Sequence, residues 1–355
     1  MAGAANPPLS IIANPLAGGF VGQPYSTTLA ATGGNPPYTW KLVSGSGTPP
    51  KGLKLNKSTG VISGTPTSHA VTSTFTIEVL DTKMAKVKKN TATATFAITI
   101  GVTTMAIAAT NGLHTCALLT GGTVDCWGHN HYGQLGNGTT ADSPTLVPVS
   151  GLSGITAIAT GVFHTCALLT GGTVDCWGAN PDGELGNGTT TDSSTPVTVG
   201  VFSGATAISA GGAHTCALVP FYGGIALCWG NNYVGQLGNG TTTNSSTPVP
   251  VSGLSGVTAI ATGGYHTCVL LTGGTVDCWG LNFYGELGNG TTASSSTPVV
   301  VSGLSGVTAI ATGDYHTCAL LTGGTVDCWG ENTYGELGNG TRSNSSTPVV
   351  VLGLP

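Results

Sequence analysis

One stretch of fifteen residues, HTCALLTGGTVDCWG, limits the possible folds of this 355-residue chain more than any other feature. It begins at His114 and returns unchanged at His164 and His316. It returns with one substitution at His266, and in a longer, altered form at His214. The steps between successive histidines are 50, 50, 52 and 50 residues. A period of about 40–50 residues that contains several short apolar runs is typical of β-propeller blades. The sequence therefore predicts an all-β repeat region with five blades.

Each repeat contains four short runs with the composition of β-strands, which is the strand content of a propeller blade. We read them in the order SSTPVVV, GVTAIATG, YHTCALLT and GGTVDCWG, followed by a loop such as ENTYGELGNGTT. In this order the first repeat begins at Met105 without a preceding STPVVV strand, and the segment from Ser346 to Val351 is left over. We expect that last strand to close a ring beside the first blade, or to add to the edge of a neighbouring molecule.

A second motif follows the tryptophan of every repeat. In the first repeat it reads Trp127-Gly128-His129-Asn130, then Gly133-Gln134-Leu135-Gly136, and the last copy runs from Trp329 to Asn332 and from Gly335 to Gly338. With the preceding I-x-A-x-G-x-x-H-[ST]-x-A-L pattern, it resembles the repeats of the regulator of chromosome condensation family. The resemblance implies a β-propeller. Propellers of that family usually have seven blades, whereas this chain supplies five repeats.

The ten cysteines are an addition to the family motif, and the parity of the hairpin explains them. Antiparallel pairing around the turn at Gly121 sets Cys116 opposite Cys126 and Leu118 opposite Val124. In the altered copy the cysteines are twelve residues apart instead of ten, which keeps the parity. Directly opposed strand residues have Cβ atoms about 4.5–5.5 Å apart, close to disulfide range. We therefore predict five disulfides: Cys116–Cys126, Cys166–Cys176, Cys216–Cys228, Cys268–Cys278 and Cys318–Cys328.

Two other interpretations of the motif stay open at this point, a zinc site and a redox site. His114 lies on the same strand face as Cys116, but zinc sites usually use C-x₂₋₄-C spacing, and a fourth ligand is missing. Redox catalysis would need C-x-x-C or an isolated activated thiol. We favour the disulfide, and expect the histidine to pack between blades and to hydrogen-bond the backbone. The sequence predicts no catalytic, metal-binding or cofactor-binding residue.

Residues 1–101 differ from the repeats because they contain no cysteine. Apolar residues alternate with polar ones in FTIEVL, where Phe75, Ile77 and Val79 share a face, and again in TFAITI. Turn signals such as GGNPPY separate these runs. The region resembles the immunoglobulin-like domains of bacterial surface proteins, and this resemblance implies a β-sandwich that serves as a spacer or adhesive module. His69 is expected to be a solvated loop residue.

We therefore place two domains at 1–101 and 102–355, and their charges differ in sign. The first holds eight lysines and two carboxylates, a net charge of +6, whereas the second holds one arginine and twelve carboxylates, a net charge of −11. A propeller this acidic would repel nucleic acid. No run approaches the roughly 18 apolar residues of a membrane span. The opposite charges suit a head-to-tail contact between copies of the chain.

Paired cysteines imply an oxidising compartment, so we expect a secreted or cell-surface protein. The opening MAGAAN is too short to be a signal peptide, and we expect a mature or trimmed form. In the altered hairpin, Phe221 and Tyr222 are candidate contact residues, because exposed aromatic side chains often anchor partners. N-glycosylation sequons occur at Asn56, Asn137, Asn187, Asn239, Asn244, Asn289, Asn339 and Asn344. Five of them are also the Asn-Gly of a favoured turn.

Loop diversity distinguishes the remaining classes of function. A binding protein varies its loops, but GQLGNGTTADS, GELGNGTTTDS and their other copies barely differ. Near-identical loops also leave no single constellation of unlike groups for an enzyme or for nucleotide exchange. We therefore predict a non-enzymatic extracellular structural or adhesive protein, whose opposite charges suit head-to-tail assembly into a fibre. The alternative is a secreted propeller that recognises a protein or glycan through its loops.

Overall fold

The computed structural model describes residues 7–67, 71–82, 90–109, 112–200, 202–220 and 223–354. Within these residues every element of regular secondary structure is a β-strand, which confirms the predicted all-β class. The chain divides into two compact units. The first runs to Met105 and includes Leu119–Gly121, and the second holds Ala106–Leu118 and the chain from Gly122 onward. No helix in the described ranges is long and apolar enough to cross a membrane.

The first unit contains two main sheets and a short two-stranded pair. Its strands are β1 Ser10–Ile12, β2 Gly19–Phe20, β3 Tyr25–Thr28, β4 Ala30–Thr32, β5 Thr39–Leu42, β6 Leu53–Leu55, β7 Val61–Gly64, β8 Val71–Leu80 and β9 Thr91–Gly101. The sheets have the orders β2-β9-β8-β5 and β3-β7-β6, and β1 pairs with β4. Phe75, Ile77 and Val79 of β8 are fully buried, as their alternation predicted. With Ile98 and Ile100 of β9 they form the centre of the core.

The second unit contains five four-stranded sheets, here called blades one to five. Blade one is β10 Thr104–Ala108, β11 His114–Leu119, β12 Thr123–Gly128 and β13 Ser143–Pro148; blade two is β14 Ile155–Thr160, β15 His164–Leu169, β16 Val174–Gly178 and β17 Ser193–Thr198. Blade three is β18 Ala207–Ala210, β19 His214–Val219, β20 Ile225–Gly230 and β21 Ser245–Pro250; blade four is β22 Val257–Thr262, β23 His266–Leu271, β24 Val276–Gly280 and β25 Ser295–Val300. Blade five is β26 Val307–Thr312, β27 His316–Leu321, β28 Val326–Gly330 and β29 Ser345–Val350.

The predicted order of strands within a repeat was wrong. The STPVV segment is the fourth strand of its blade, where Val197 pairs with Cys176 and Ser193 with Gly178. The long loop turns back because Asn180 holds it. The Asn180 side chain accepts a bond from Leu185 N and donates to two backbone oxygens later in the loop. Each blade therefore uses one contiguous stretch of chain, and β29 pairs with β28 of its own blade. Every strand of the repeats that the structure describes is thus paired within its own blade.

The hairpin register agrees with the parity argument. Cys166 lies opposite Cys176 and Leu168 opposite Val174, and the longer hairpin sets Cys216 opposite Cys228. All five predicted pairs are disulfide-bonded, with Cα atoms 4.1 Å apart, and no cysteine is free.

Four apolar clusters lie where successive blades meet. In the first, the disulfide of blade one packs with Leu118 against Ala167 and Trp177 of blade two. The other three combine a disulfide with the next tryptophan in the same way. The tryptophans of blades two to five are fully buried: Trp177, Trp229, Trp279 and Trp329. The tryptophan of blade one, Trp127, is half-buried.

Candidate functional site

The repeated histidine joins each blade to the next. Nε2 of His114 lies 2.8 Å from Oγ1 of Thr165 in blade two, and that hydroxyl donates to the backbone oxygen of Gln134, 2.9 Å away. Because the hydroxyl has a single proton, Nε2 of His114 must be the donor to it. The same bond recurs at His164–Thr215, His214–Thr267 and His266–Thr317, at 2.8–2.9 Å. The prediction that the histidine packs between blades is confirmed, although its direct partner is a hydroxyl group.

A tryptophan completes this joint. Nε1 of Trp177 donates to the same oxygen of Gln134, so two side chains of blade two converge on one carbonyl of blade one. Burial, with a smaller repulsion from His129, lowers the pKa of His114 to about 4. Burial lowers the pKa values of His164, His214 and His266 to about 3. These imidazoles are therefore neutral at physiological pH.

The side chains of the motif are engaged in contacts within the protein. Nε2 of each of these four histidines is hydrogen-bonded, and every cysteine is in a disulfide. In the described parts of the chain, no group of three or more His, Cys, Asp and Glu side chains is placed to hold a metal ion.

In blades one to four, the residue before Leu-Gly of the second motif is a buried position that sequence reasoning missed. Gln134 fills it in blade one, and its amide pairs with Nδ1 of His129 at 2.7 Å. Glu184 fills it in blade two, where Ala179 stands at the place of that histidine. Burial raises the pKa of Glu184 to about 7, although the carboxylate accepts a bond from Asp182 N. The variation between GQLG and GELG was the only signal for it in the sequence.

Aromatic side chains gather in the loops at one end of the blades. Between blades one and two, His131, Tyr132 and Phe163 lie with ring centroids 5.0–5.2 Å apart. Between blades four and five, the centroid distance is 5.0 Å for Phe283–Tyr284 and 5.7 Å for Tyr284–Tyr315. Phe283 is 71% exposed and Tyr233 is 70% exposed. We call this set the aromatic rim: His131, Tyr132, Phe163, Tyr233, Tyr265, Phe283, Tyr284 and Tyr315.

A groove of about 780 Å³ in the first unit carries positive charge. Lys41, Lys51, Lys54 and Lys57 line it, beside prolines and leucines. Nζ of Lys41 lies 2.8 Å from the carboxylate of Glu78. Among the residues described, no ion pair is recorded for the other three lysines. We call this feature the lysine groove.

A smaller cavity of about 250 Å³ lies where the first strands of the blades end. Its walls are mostly glycine backbone and threonine side chains, among them Gly211, Thr262 and Thr312. Asp314 adds one carboxylate to them. This lining does not bring together the unlike acid, base and nucleophile that catalysis needs.

The other predicted contact and modification sites have different outcomes. Phe221 and Tyr222 lie outside the described residues. In the Asn-Gly-Thr sequons the asparagine side chain stabilises its own turn: Oδ1 of Asn137 accepts from Thr139 N and Oγ1. Nδ2 of Asn244, where a glycan would attach, donates to Asp182 at 2.7 Å. Glycosylation stays a prediction.

Comparison with known families identifies both regions. A family model described as "Regulator of chromosome condensation (RCC1) repeat" matches residues 122–168, 172–218, 224–270, 274–320 and 324–355. A second model of the same description matches 106–134, 155–184, 257–286 and 307–336. A model described as "Putative Ig domain" matches residues 8–101. No curated protein matches the chain.

Solved structures with a similar fold cover most of the chain. Human WBSCR16 is 22% identical, with a TM-score of 0.64 over 80% of this chain and 81% of that one. Yeast RCC1 (Prp20), solved bound to Kap60, is 19% identical, with a TM-score of 0.62 over 80% of this chain and 74% of that one. Prp20p from Saccharomyces cerevisiae, described with its binding to Gsp1p and histones, gives the same identity and TM-score over 80% and 76%. At these identities the likeness shows the fold alone.

Proposed function

Because the chain belongs to the regulator of chromosome condensation repeat family, we propose that it is a non-enzymatic extracellular adhesive or structural protein. Its propeller binds another protein or a glycan through the aromatic rim. The family match supports a binding propeller in general. The disulfides and the match to an immunoglobulin-like domain support an extracellular location, because disulfides persist in oxidising compartments.

The observation that carries this proposal is the exposure of the aromatic rim. The loops are otherwise nearly uniform, but the residue after the loop asparagine changes from blade to blade: His131, Pro181, Tyr233, Phe283 and Thr333. Tyr233 and Phe283 expose most of their surface on this rim. Exposed aromatic side chains supply large contact area at low entropic cost and are enriched among residues that dominate binding energy.

The repeated histidine and cysteine motif supports a non-enzymatic role, because its side chains bond within and between blades. The motif histidines of blades one to four are buried and bonded to threonine hydroxyls, and their lowered pKa values make them weak bases. Nucleophilic cysteine thiols are absent because all ten cysteines are paired. We therefore assign binding, and not catalysis, to the aromatic rim.

Replacement of Tyr233 and Phe283 by alanine tests the proposal. We expect the double variant to lose at least about tenfold in affinity for a glycan or extracellular protein identified on an array with the unaltered chain. Val300→Ala is the matched control, since Val300 is 63% exposed but lies on the fourth strand of blade four. Equal affinity of the double variant and the control would contradict a role for the rim.

Head-to-tail self-association is a second candidate function, and the lysine groove favours it. A groove with four lysines on one unit and a net charge of −11 on the repeats suit a contact between the first unit of one copy and the propeller of the next. Such a contact weakens with salt, because the Debye length falls from about 10 Å at 0.1 M to about 3 Å at 1 M. Sedimentation velocity at both salt concentrations measures it, and oligomers that ignore salt would contradict the charge contact.

A further inference from the structure

We propose that the rim between blades four and five binds a cationic side chain, Lys or Arg, of a basic segment in a protein partner. This inference rests on the binding function proposed above and deepens it, because it names the chemistry of the partner for one part of the aromatic rim. We call this part the acidic sector, and it consists of Tyr265, Tyr284, Glu286, Asp314, Tyr315 and Glu331.

Three tyrosine rings contact one another in the acidic sector. The ring centroid of Tyr315 in blade five lies 6.1 Å from that of Tyr265 and 5.7 Å from that of Tyr284, both in blade four. Tyr265 is 42% exposed, and Tyr284 and Tyr315 are half-buried. The face of an aromatic ring carries partial negative charge and attracts ammonium and guanidinium groups. The cluster therefore offers ring surface to a cation.

Two carboxylates of blade five lie beside these rings. Asp314 precedes Tyr315 in the chain, and Glu331 follows the end of β28. Burial raises the pKa of the Tyr315 hydroxyl, and four neighbours raise it further: Tyr265, Asp314, Tyr284 and Glu331. Among the described residues, no ion pair is recorded for either carboxylate. The described chain thus supplies no cation to compensate the negative charge beside the rings.

A third carboxylate of the acidic sector is buried. Glu286 is 0% exposed, and its Oε2 accepts a hydrogen bond from Tyr284 N at 2.8 Å. Its Oε1 has no hydrogen-bond partner in the described part of the chain, whereas the amide of Gln236, at this position in blade three, donates to Asn231 at 2.6 Å. Burial raises the pKa of Glu286, and Glu331 adds to that rise. A cation bound at the acidic sector would stabilise this carboxylate through its field.

Asp314 also lines the cavity of about 250 Å³ where the first strands end. It is the only charged residue among the described residues of that lining. Backbone N–H groups beside the cavity are already used, since they donate across blade boundaries from Val162 to Gly212, from Gly212 to Gly263 and from Gly264 to Asp314. The lining therefore favours a hydrogen-bond donor with positive charge, and the cavity leaves room for a long basic side chain beside Asp314.

The boundary between blades one and two has the same ring contact without the acids. Tyr132 and Phe163 occupy the positions of Tyr284 and Tyr315, and their centroids lie 5.2 Å apart. The positions of the three carboxylates are held there by uncharged residues: Gln134, Val162 and Ala179. An aromatic contact of this kind thus forms without carboxylates, so those of the acidic sector are not needed to hold the rings together.

The other two boundaries lack one or the other component. Between blades two and three, Asp182 accepts from the side-chain amides of Asn231 and Asn244, both at 2.7 Å, and Ala213 stands at the position of Tyr315. Between blades three and four, the positions of the three carboxylates are held by Gln236, Gly264 and Leu281. The boundary between blades four and five therefore combines aromatic rings with carboxylates that have no ion pair in the described chain.

A basic protein segment is the occupant that this chemistry favours. Residues 102–355 hold one arginine and twelve carboxylates, so the field of the propeller attracts a cationic partner before contact. A neutral glycan can stack on the rings, but it leaves the carboxylates uncompensated. An anionic partner is repelled.

Fluorescence anisotropy of labelled tetra-arginine and tetra-lysine peptides, titrated with the full chain at physiological ionic strength, tests the inference. Asp314→Asn with Glu331→Gln removes two charges and preserves side-chain shape, and we expect it to weaken binding at least about tenfold. The matched control is Asp175→Asn with Asp327→Asn, which removes two charges from β16 and β28. Because salt screens distant charges, this control should change the affinity by less than about threefold.

Two variants of Tyr315 separate the contribution of the rings from that of the charges. Tyr315→Phe keeps an aromatic face and should stay within about twofold of the unaltered affinity, whereas Tyr315→Leu should lose at least about fivefold. Blade one has Leu113 at this position, so we expect the fold to accept leucine, as circular dichroism can verify. Equal affinities of the two variants would overturn the role assigned to the rings.

Equal loss of peptide affinity in the charge variant and in its matched control would overturn the inference. An array on which neutral glycans, and not basic peptides, bind the unaltered chain would also overturn it. That result would leave the proposed rim binding intact, which Tyr233→Ala with Phe283→Ala tests separately. If the charge variant dissolved oligomers of the unaltered chain in sedimentation velocity, the occupant would be the lysine groove of a second copy, and the assignment of a foreign partner would be wrong.

Discussion

At the scale of single residues, the chain repeats one joint four times, and the motif histidine of blade five is less buried than the other four. His164 and His316 have the same neighbours in sequence, HTCALLT, but different surroundings. His164 is 1% exposed and bonds Thr215, whereas His316 is half-buried at the end of the array. The pair therefore offers an internal comparison of one side chain with and without its partner.

We expect His164→Ala to destabilise the fold by about 2–4 kcal/mol, because it leaves a cavity and removes a bond from the buried Thr215 hydroxyl. His316→Ala should cost clearly less, because His316 is only half-buried and its replacement leaves a smaller cavity. Urea unfolding of both variants measures the difference. Equal costs would mean that the threonine bond contributes nothing.

At the scale of strands and hairpins, the sequence predicted some features and not others. The period of two residues fixes which side chains face each other, so the five disulfides and the Phe75, Ile77, Val79 face could be derived. The order of strands could not, because STPVV has the same composition whether it opens or closes a blade. Its place depends on the loop asparagine, such as Asn180, whose bonds turn the chain back.

The aromatic rim was harder to predict from the sequence. The varied loop positions His131 and Phe283 were visible in the repeats. Their gathering with Phe163 and Tyr315 was not, because those residues belong to the following blade and precede its histidine. The different exposure of His164 and His316 was hidden for the same reason, because identical motifs differ in exposure only through what packs against them.

The five hairpins should differ in how easily a thiol reduces them. The cysteines of blades one to four are fully buried, whereas Cys318 of blade five is half-buried. Attack on a disulfide requires access to sulfur. We expect mild dithiothreitol treatment of the native, dilute protein to reduce Cys318–Cys328 first, by at least about tenfold in rate. Alkylation and peptide mapping over time identify the order, and simultaneous reduction of all five pairs would be inconsistent with this view.

At the scale of the whole molecule, the buried histidines make the blade array sensitive to acid. Burial holds the pKa values of His164, His214 and His266 at about 3 in the folded chain, against their usual value of 6.5. Below about pH 6.5 the unfolded chain binds protons that the folded chain does not. The contribution of these histidines to the free energy of unfolding is therefore fully present above pH 6.5, and it is lost as the pH falls towards 4. Glu184 acts in the opposite direction, since burial raises its pKa to about 7 and its contribution is lost as pH rises from 4.5 to 7.

We therefore expect the free energy of unfolding to fall from pH 6.5 to pH 4, by up to about 1.4 kcal/mol per pH unit for each histidine. His164→Gln keeps a donor for Thr215 but cannot titrate, and it should make this fall shallower by one proton. Denaturant unfolding at pH 7, 5.5 and 4 provides the measurement. Stability that rises on acidification would show that the histidines are not the controlling groups.

The position of the disulfides also determines how the molecule would respond to force. Each one closes within a single hairpin, and none links two blades. Pulling on the chain could therefore peel blades apart without breaking a covalent bond, while the residues inside each disulfide loop stay unextended. A separation of ten residues conceals about 35 Å of contour length per blade. A surface protein built in this way would lengthen under shear in short, nearly equal steps, and a reducing environment would make every step longer.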